Sequence, residues 1–345
     1  MQTESLHRYH ALNRRRVLLV AGMLAVALLA VVADLMTGPA GLPLAETLGA
    51  LTGWGEVARS AEVIVWQVRL PVAIMALLVG AALALAGAEM QTVLENPLAE
   101  PFTLGVSASA ALGAATAIVL GLGLPGLPPA WSVSANAFLF ALGALALLQL
   151  MGRLRGGGPE VLILCGIALN FTAGAFLSLL QFVASADALQ QLVFWTMGSL
   201  AAASWPGVTV LAVVLAVTAP FSLKAAWQLT ALRLGEEQAR SFGVDVARLR
   251  RWSLLRVSLL AASAVSMVGV IGFVGLAGPH IARMLLGEDH RFFLPGSLLT
   301  GAVVMSLASL VSKTVVPGVL LPVGLVTSLI GLPIFFSLIL RGRGR

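Results

Sequence analysis

Few side chains in this chain of 345 residues have the type and spacing for covalent, redox or metal chemistry. The four histidines, His7, His10, His280 and His290, share no metal-ligand spacing, and the one cysteine, Cys165, lies inside an apolar run. A lone cysteine builds neither a disulfide framework nor a thiolate metal centre. No Ser/His/Asp set and no HExxH motif is present. Both lysines, Lys224 and Lys313, lack the preceding glycines of a GxxxxGK[ST] loop, so ATP is not held here in that manner. Residues 121–126 spell GxGxxG, but in an apolar loop rather than between a strand and a helix, so the match is one of letters.

The remaining polar residues suit lining or bracing a passage. Asp34, Arg69, Glu89 and Lys313 fall near the ends of apolar runs, where snorkelling solvates a charge at modest cost. An ion-coupled secondary transporter, the rival of another class, keeps such groups near the bilayer midplane, so this placement counts against it. Asn170, Thr172 and Gln181 share one apolar run. They can line a polar pathway or bond between helices, and both readings fit. Glycines 269, 272, 275 and 278 followed by Pro279 predict a broken helix, with a short element over 279–286 that starts at Pro279. Its N-terminus would turn a positive dipole end inward. Gly275, Pro279 and His280 are therefore pathway candidates beside Asn170 and Thr172.

The elements that position these residues follow from composition. Hydrophobic residues make up 59% of the chain and charged ones 10%, against about 25% charged in a soluble domain. That is too little charge to cover a soluble globule, which excludes a soluble enzyme, a nucleic-acid binder and a disordered chain. Apolar runs long enough to cross a bilayer lie at about 17–36, 63–90, 102–123, 132–152, 160–184, 205–223, 252–276, 292–315 and 323–340. With the short element at 279–286 this predicts an all-α polytopic membrane protein of about ten membrane helices. Connections are short, so residues 1–345 form a single polytopic helical domain. Arg14 to Arg16 before an apolar stretch resemble a signal peptide, but the stretch is long for one and more membrane follows, so it is taken as the first span.

Of the 21 Lys and Arg residues, all but Arg59, Arg69 and Lys313 fall on one side if both termini are cytoplasmic. The inner set includes the N-terminal tail 1–16, Arg153, Arg155, the segment 224–251, Arg256, Arg283, Arg291, Arg341, Arg343 and Arg345. The positive-inside rule predicts that asymmetry and explains the net charge of +6 without nucleic acid. Within the basic segment, residues 234–243 read as a short amphipathic helix closed by Gly243. It can be a solvated loop or a docking surface.

Several segments together resemble one family. Residues 69–107 (RLPVAIMALLVGAALALAGAEMQTVLENPLAEPFTLGVS), 161–169, 194–200, 234–244 (LGEEQARSFGV), 271–283 (IGFVGLAGPHIAR) and 321–336 are similar, in order, to the FecCD-type permeases. These are membrane subunits of type II ATP-binding-cassette importers for ferric siderophores, haem and cobalamin. The resemblance implies ten helices per subunit and a dimer, either of two copies or with a homologous permease. It also implies two partner ATPases that bind ATP and Mg, an extracytoplasmic binding protein, and the bacterial inner membrane as location. The permease itself would be non-catalytic and hold no cofactor or metal. It implies ATPase coupling through Leu234, Gly235, Glu236, Glu237, Ala239 and Gly243, and a cytoplasmic gate loop at Asn96, Pro97 and Leu98. Arg69 and Lys313 would dock the binding protein. The chain departs from the family at Val72, where a second arginine is common, and at Ser309, Lys313 and Leu321, where Asp, Arg and Glu are common. Residues 156–160 also lack the small hydroxyl residues of a second gate. A ferric siderophore leads as ligand, with haem and cobalamin as alternatives.

Overall fold

The computed structural model describes residues 2–38, 41–54, 57–154, 158–316 and 318–341. Arg155, Gly156, Gly157, Arg343 and Arg345 lie outside the described residues. The described residues form fifteen α-helices and one π-helical turn. These are α1 (Gln2–Met36), α2 (Leu44–Thr52), α3 (Arg59–Val63), the π turn (Ile64–Arg69), α4 (Leu70–Val93), α5 (Val106–Leu120) and α6 (Pro129–Leu154). Then come α7 (Pro159–Val183), α8 (Ala186–Thr196), α9 (Trp205–Lys224), α10 (Ala226–Leu232), α11 (Glu236–Ser241) and α12 (Val246–Val268). The last three are α13 (Val274–Leu286), α14 (His290–Thr314) and α15 (Val323–Arg341).

Seven helical stretches among the described residues are long and apolar enough to cross a membrane, rather than the nine expected. The stretches at 102–123 and 323–340 appear as shorter apolar helices. The expected span over 252–276 is broken, because Gly269 (φ 77°) ends α12 and Phe273 (φ 66°) precedes α13. Two left-handed residues four apart cannot sit inside one helix. The short element therefore starts at Val274, and Pro279 lies within it instead of opening it. The basic tail 1–16 is no separate tail, since α1 runs through it.

The helix α4 is the axis of the molecule. Twenty-one of its residues are buried, and it packs against α14, α12, α13 and α9. Its sequence is a run of Ala, Leu and Gly with no polar face before Glu89, as a helix surrounded by others requires. Glycines let its neighbours close in. A Cβ at Gly87 would collide with the carbonyl of Gly275 on α13, and one at Gly80 with the carbonyl of Gly301 on α14. Small residues at such crossings replace a hydrophobic driving force, which lipid does not supply between helices.

Candidate functional site

The last turns of α4 carry four polar groups, which are held by three helices, α12, α13 and α14. The buried carboxylate of Glu89 accepts from Arg256 on α12, whose Nε lies 3.0 Å from Oε1. Gln91 donates through Nε2 to the carbonyl of Gly275 at 3.3 Å and accepts at Oε1 from Arg283 at 3.1 Å. That carbonyl needs a donor because Pro279, four residues on, has no N–H to give it. Thr92 Oγ1 lies 2.8 Å from Nε2 of His290, the fully buried first residue of α14. Thr230 on α10 in turn donates or accepts at His290 Nδ1 over 3.3 Å and takes the His290 backbone N–H at 3.0 Å. The Val93 carbonyl, orphaned at the helix end, accepts from Arg250 Nε at 3.0 Å.

The loop that follows is tightly wound. Glu95 adopts φ 50°, unusual for a side chain of its kind. The Asn96 N–H donates to Gln91 O at 3.1 Å, and Asn96 Oδ1 accepts from Leu98 N at 2.9 Å. Pro97 is exposed, while Asn96 and Leu98 are half-buried. Glu100 then turns inward, 5% exposed, and its Oε1 accepts the Phe273 N–H at the start of α13 at 3.3 Å. Burial pushes its carboxyl up to about 7, although the backbone N–H groups of Phe273 and Leu276 pull the other way.

Beyond α10, Gly235 (φ 114°) opens α11, and Gly243 (φ 83°) closes it with its N–H on the Arg240 carbonyl at 2.9 Å. The expected short helix with a glycine cap is present, two residues shorter at its start. Leu234, Glu237, Gln238, Phe242 and Gly243 are exposed, with Leu234 at 63% and Phe242 at 55%. Two exposed apolar side chains thus flank the exposed Glu237 carboxylate. Ala239 is fully buried and anchors α11 to the chain. Glu236 is engaged within the chain, with Arg240 at 2.5 Å and Arg250 at 3.4 Å.

At the opposite end the two expected docking residues are not presented. Arg69 is 4% exposed, and its Nη1 donates to the Met36 carbonyl at 3.3 Å and to Thr47 Oγ1 at 3.5 Å. Lys313 forms a buried ion pair with Asp34 at 2.8 Å. Both line one small cleft with Thr37, Ser309 and Leu321. Their ends of α1, α4 and α14 converge there, so carbonyls and a carboxylate satisfy charges that would otherwise face water. Among the three basic residues assigned to that side, Arg59 is the exposed one.

The pathway candidates separate into two groups. Asn170 and Thr172 are exposed on α7, with the Thr172 hydroxyl donating to Ala168 O of its own helix. Large apolar side chains are bare along the same helix, Phe171 at 73% and Phe182 at 88% exposed, so much of α7 is unpacked in the single chain. Gly275 and Pro279 are buried within α13. His280 is half-buried on α13.

Sequence reasoning missed Arg250, Gln91, Thr92, His290 and Glu100, and it took Glu89 and Asp34 as solvated at span ends. The structure leaves both carboxylates fully buried and paired. The available signal was side: Glu89 lies near the inner end of α4, and Arg256 lies in the part of α12 that follows the basic segment. Opposite charges at one end of a membrane protein find each other before they find water.

Comparison with known proteins adds the following. The model of the FecCD transport family matches residues 24–341. The hemin transport system permease protein HmuU of Yersinia pestis is 39% identical over 300 residues, covering 87% of this chain and 90% of that protein. The vitamin B12 import system permease protein BtuC of Klebsiella pneumoniae is 33% identical over 336 residues, covering 97% of each. A solved inward-facing ABC transporter, described as of metal-chelate type, superposes with a TM-score of 0.80 at 31% identity, covering 94% of this chain and 99% of that one.

Proposed function

The chain belongs to the FecCD transport family, and from that premise we propose that it is the permease subunit of an ATP-binding-cassette importer for metal chelates, with a ferric siderophore as first candidate. Haem and cobalamin remain the alternatives, because hemin and vitamin B12 are what the named relatives import. All three are metal ions wrapped in an organic ligand, and that shared chemistry defines the class.

The observation that carries the reading is the exposed patch of Leu234, Glu237 and Phe242 on α11, one ionic contact from the loop after α4. A partner ATPase seated there would be tied through packed helices to the loop at Asn96, Pro97 and Leu98. In this reading two ATPases hold ATP and Mg on the cytoplasmic side, where both termini lie. A second copy, or a homologous permease, covers the bare face of α7. A binding protein delivers the chelate from outside the bacterial inner membrane. The single permease domain does no covalent chemistry. A ligand that binds both access states about equally cannot shift them, so nucleotide supplies the bias.

Reconstitution in liposomes with the ATPase, the binding protein and ATP tests this. A radiolabelled ferric siderophore should accumulate, and haem and cobalamin less. Uptake of none of the three refutes the substrate class. Failure to hold any ATPase refutes the subunit assignment.

A further inference from the structure

Three pieces of the chain meet at one guanidinium. Arg250, on the first turns of α12, has a side chain only 9% exposed. Its Nε donates to the carbonyl of Val93, the last residue of α4, at 3.0 Å. Its Nη2 lies 3.4 Å from the Glu236 carboxylate, on the first residue of α11, and 3.7 Å from Glu95 Oε1. Glu95 is the left-handed residue immediately before Asn96.

We propose that Arg250 is the positioning residue that passes displacement of α11 to the root of the loop at 94–98. This rests on α11 being the ATPase contact. The chemistry favours such a role for three reasons. The planar guanidinium projects donors in fixed directions, so it holds α11 and α4 at a set spacing, which a flexible ammonium cannot do. The guanidinium and its bond to the Val93 carbonyl are buried and therefore little screened, while the Glu236 and Glu95 carboxylates are part-exposed. And the group it holds on α4 is a main-chain carbonyl at the helix end, so a pull moves backbone and not merely a side chain. Glu95 is already held in a sparsely populated conformation, and a small change in the Val93 and Glu95 contacts has an alternative backbone state within reach.

The hydrogen-bonded route from α10 to α4 runs through Thr230 and His290 to Thr92, two steps removed. The Arg256–Glu89 pair lies deeper and contacts neither α11 nor the loop.

The test uses the full complex of the chain with its ATPase in nanodiscs. A Cys165→Ser background carries spin labels at Pro97→Cys in both copies. Trapping with ATP and vanadate should shift the distance between the labels in the parent protein. With Arg250→Met the ATPase should co-purify and hydrolyse ATP at its basal rate, while the shifted population falls about tenfold, within the usual range of coupling. Arg250→Lys should recover part of the shift, and it carries the test if the methionine variant fails to fold. A full shift in Arg250→Met, or in Arg250→Lys where that variant alone folds, overturns the proposal. A parent protein that holds no ATPase would refute the reading of α11 itself, and the relay with it.

Discussion

Glu89 and Arg256 face one another across the α4–α12 contact as a two-pronged ion pair, with Nε 3.0 and 3.1 Å from the two carboxylate oxygens. Ser253 Oγ accepts from the same guanidinium at 2.9 Å. The pair is sealed from water, so neither charge has another solvent.

Removing one partner leaves the other charge buried. Arg256→Ala should destabilise the protein by about 3–5 kcal/mol. The double variant Glu89→Leu with Arg256→Met should recover most of that, because a buried pair often exchanges for apolar packing at little cost. Thermal unfolding in detergent reads both. Equal losses in the single and double variants would show that packing, not charge, sets the contact.

The glycine crossings make a second prediction. Gly87→Ala places a methyl on the Gly275 carbonyl, so α4 and α13 must part, at a cost of about 1–3 kcal/mol. At Gly22 on α1 nothing lies within 4 Å of an added Cβ. Gly22→Ala should leave the melting temperature unchanged or raise it. If the two substitutions melted alike, the close approach of α4 and α13 would be wrong.

The patch on α11 predicts binding loss without fold loss. Leu234→Asp and Phe242→Asp change exposed side chains, so melting should hold within about 0.5 kcal/mol. ATPase co-purification should drop by about tenfold or more, as expected for truncating an apolar anchor. Undiminished capture in both variants would move the contact elsewhere.

Glu100 predicts a pH effect. Its folded value is raised to about 7 from 4.5, so the folded protein holds this proton more tightly than the unfolded one. Stability from this group is full at low pH and is lost as pH climbs from about 4.5 to about 7, where the carboxylate must ionise in its buried seat. The melting temperature should fall across that window, and Glu100→Gln, neutral throughout, should flatten the slope. An identical slope in the variant would assign the effect to another group.

Much of the frame was readable in advance because a bilayer demands it. Twenty apolar residues in a row announce a crossing helix, and the runs at 132–152, 160–184 and 205–223 became α6, α7 and α9. Amphipathic spacing and Gly243 announced α11. What escaped depended on a partner distant in sequence. Nothing beside Glu89 names Arg256, 167 positions on. Arg69 looks like a surface charge until α1 and α2 bring carbonyls and Thr47 around it. Phe273 carries no glycine signal for its left-handed turn, which the Glu100 carboxylate supports from another loop. The short helices α2 and α8 lacked enough periods to stand out.

The helix α13 has 13 residues, which span roughly 20 Å against a hydrocarbon layer of about 30 Å. Its seat lies between α4, made nearly 200 residues earlier in translation, and α14, made directly afterwards. A nascent chain therefore emerges with a piece that the bilayer will not accept by itself. Its second wall is complete only when α14, ending at Thr314, has been added. The order of synthesis thus becomes part of how this end of the molecule is built, and a chain released early would expose Arg283 and the open Gly275 carbonyl together.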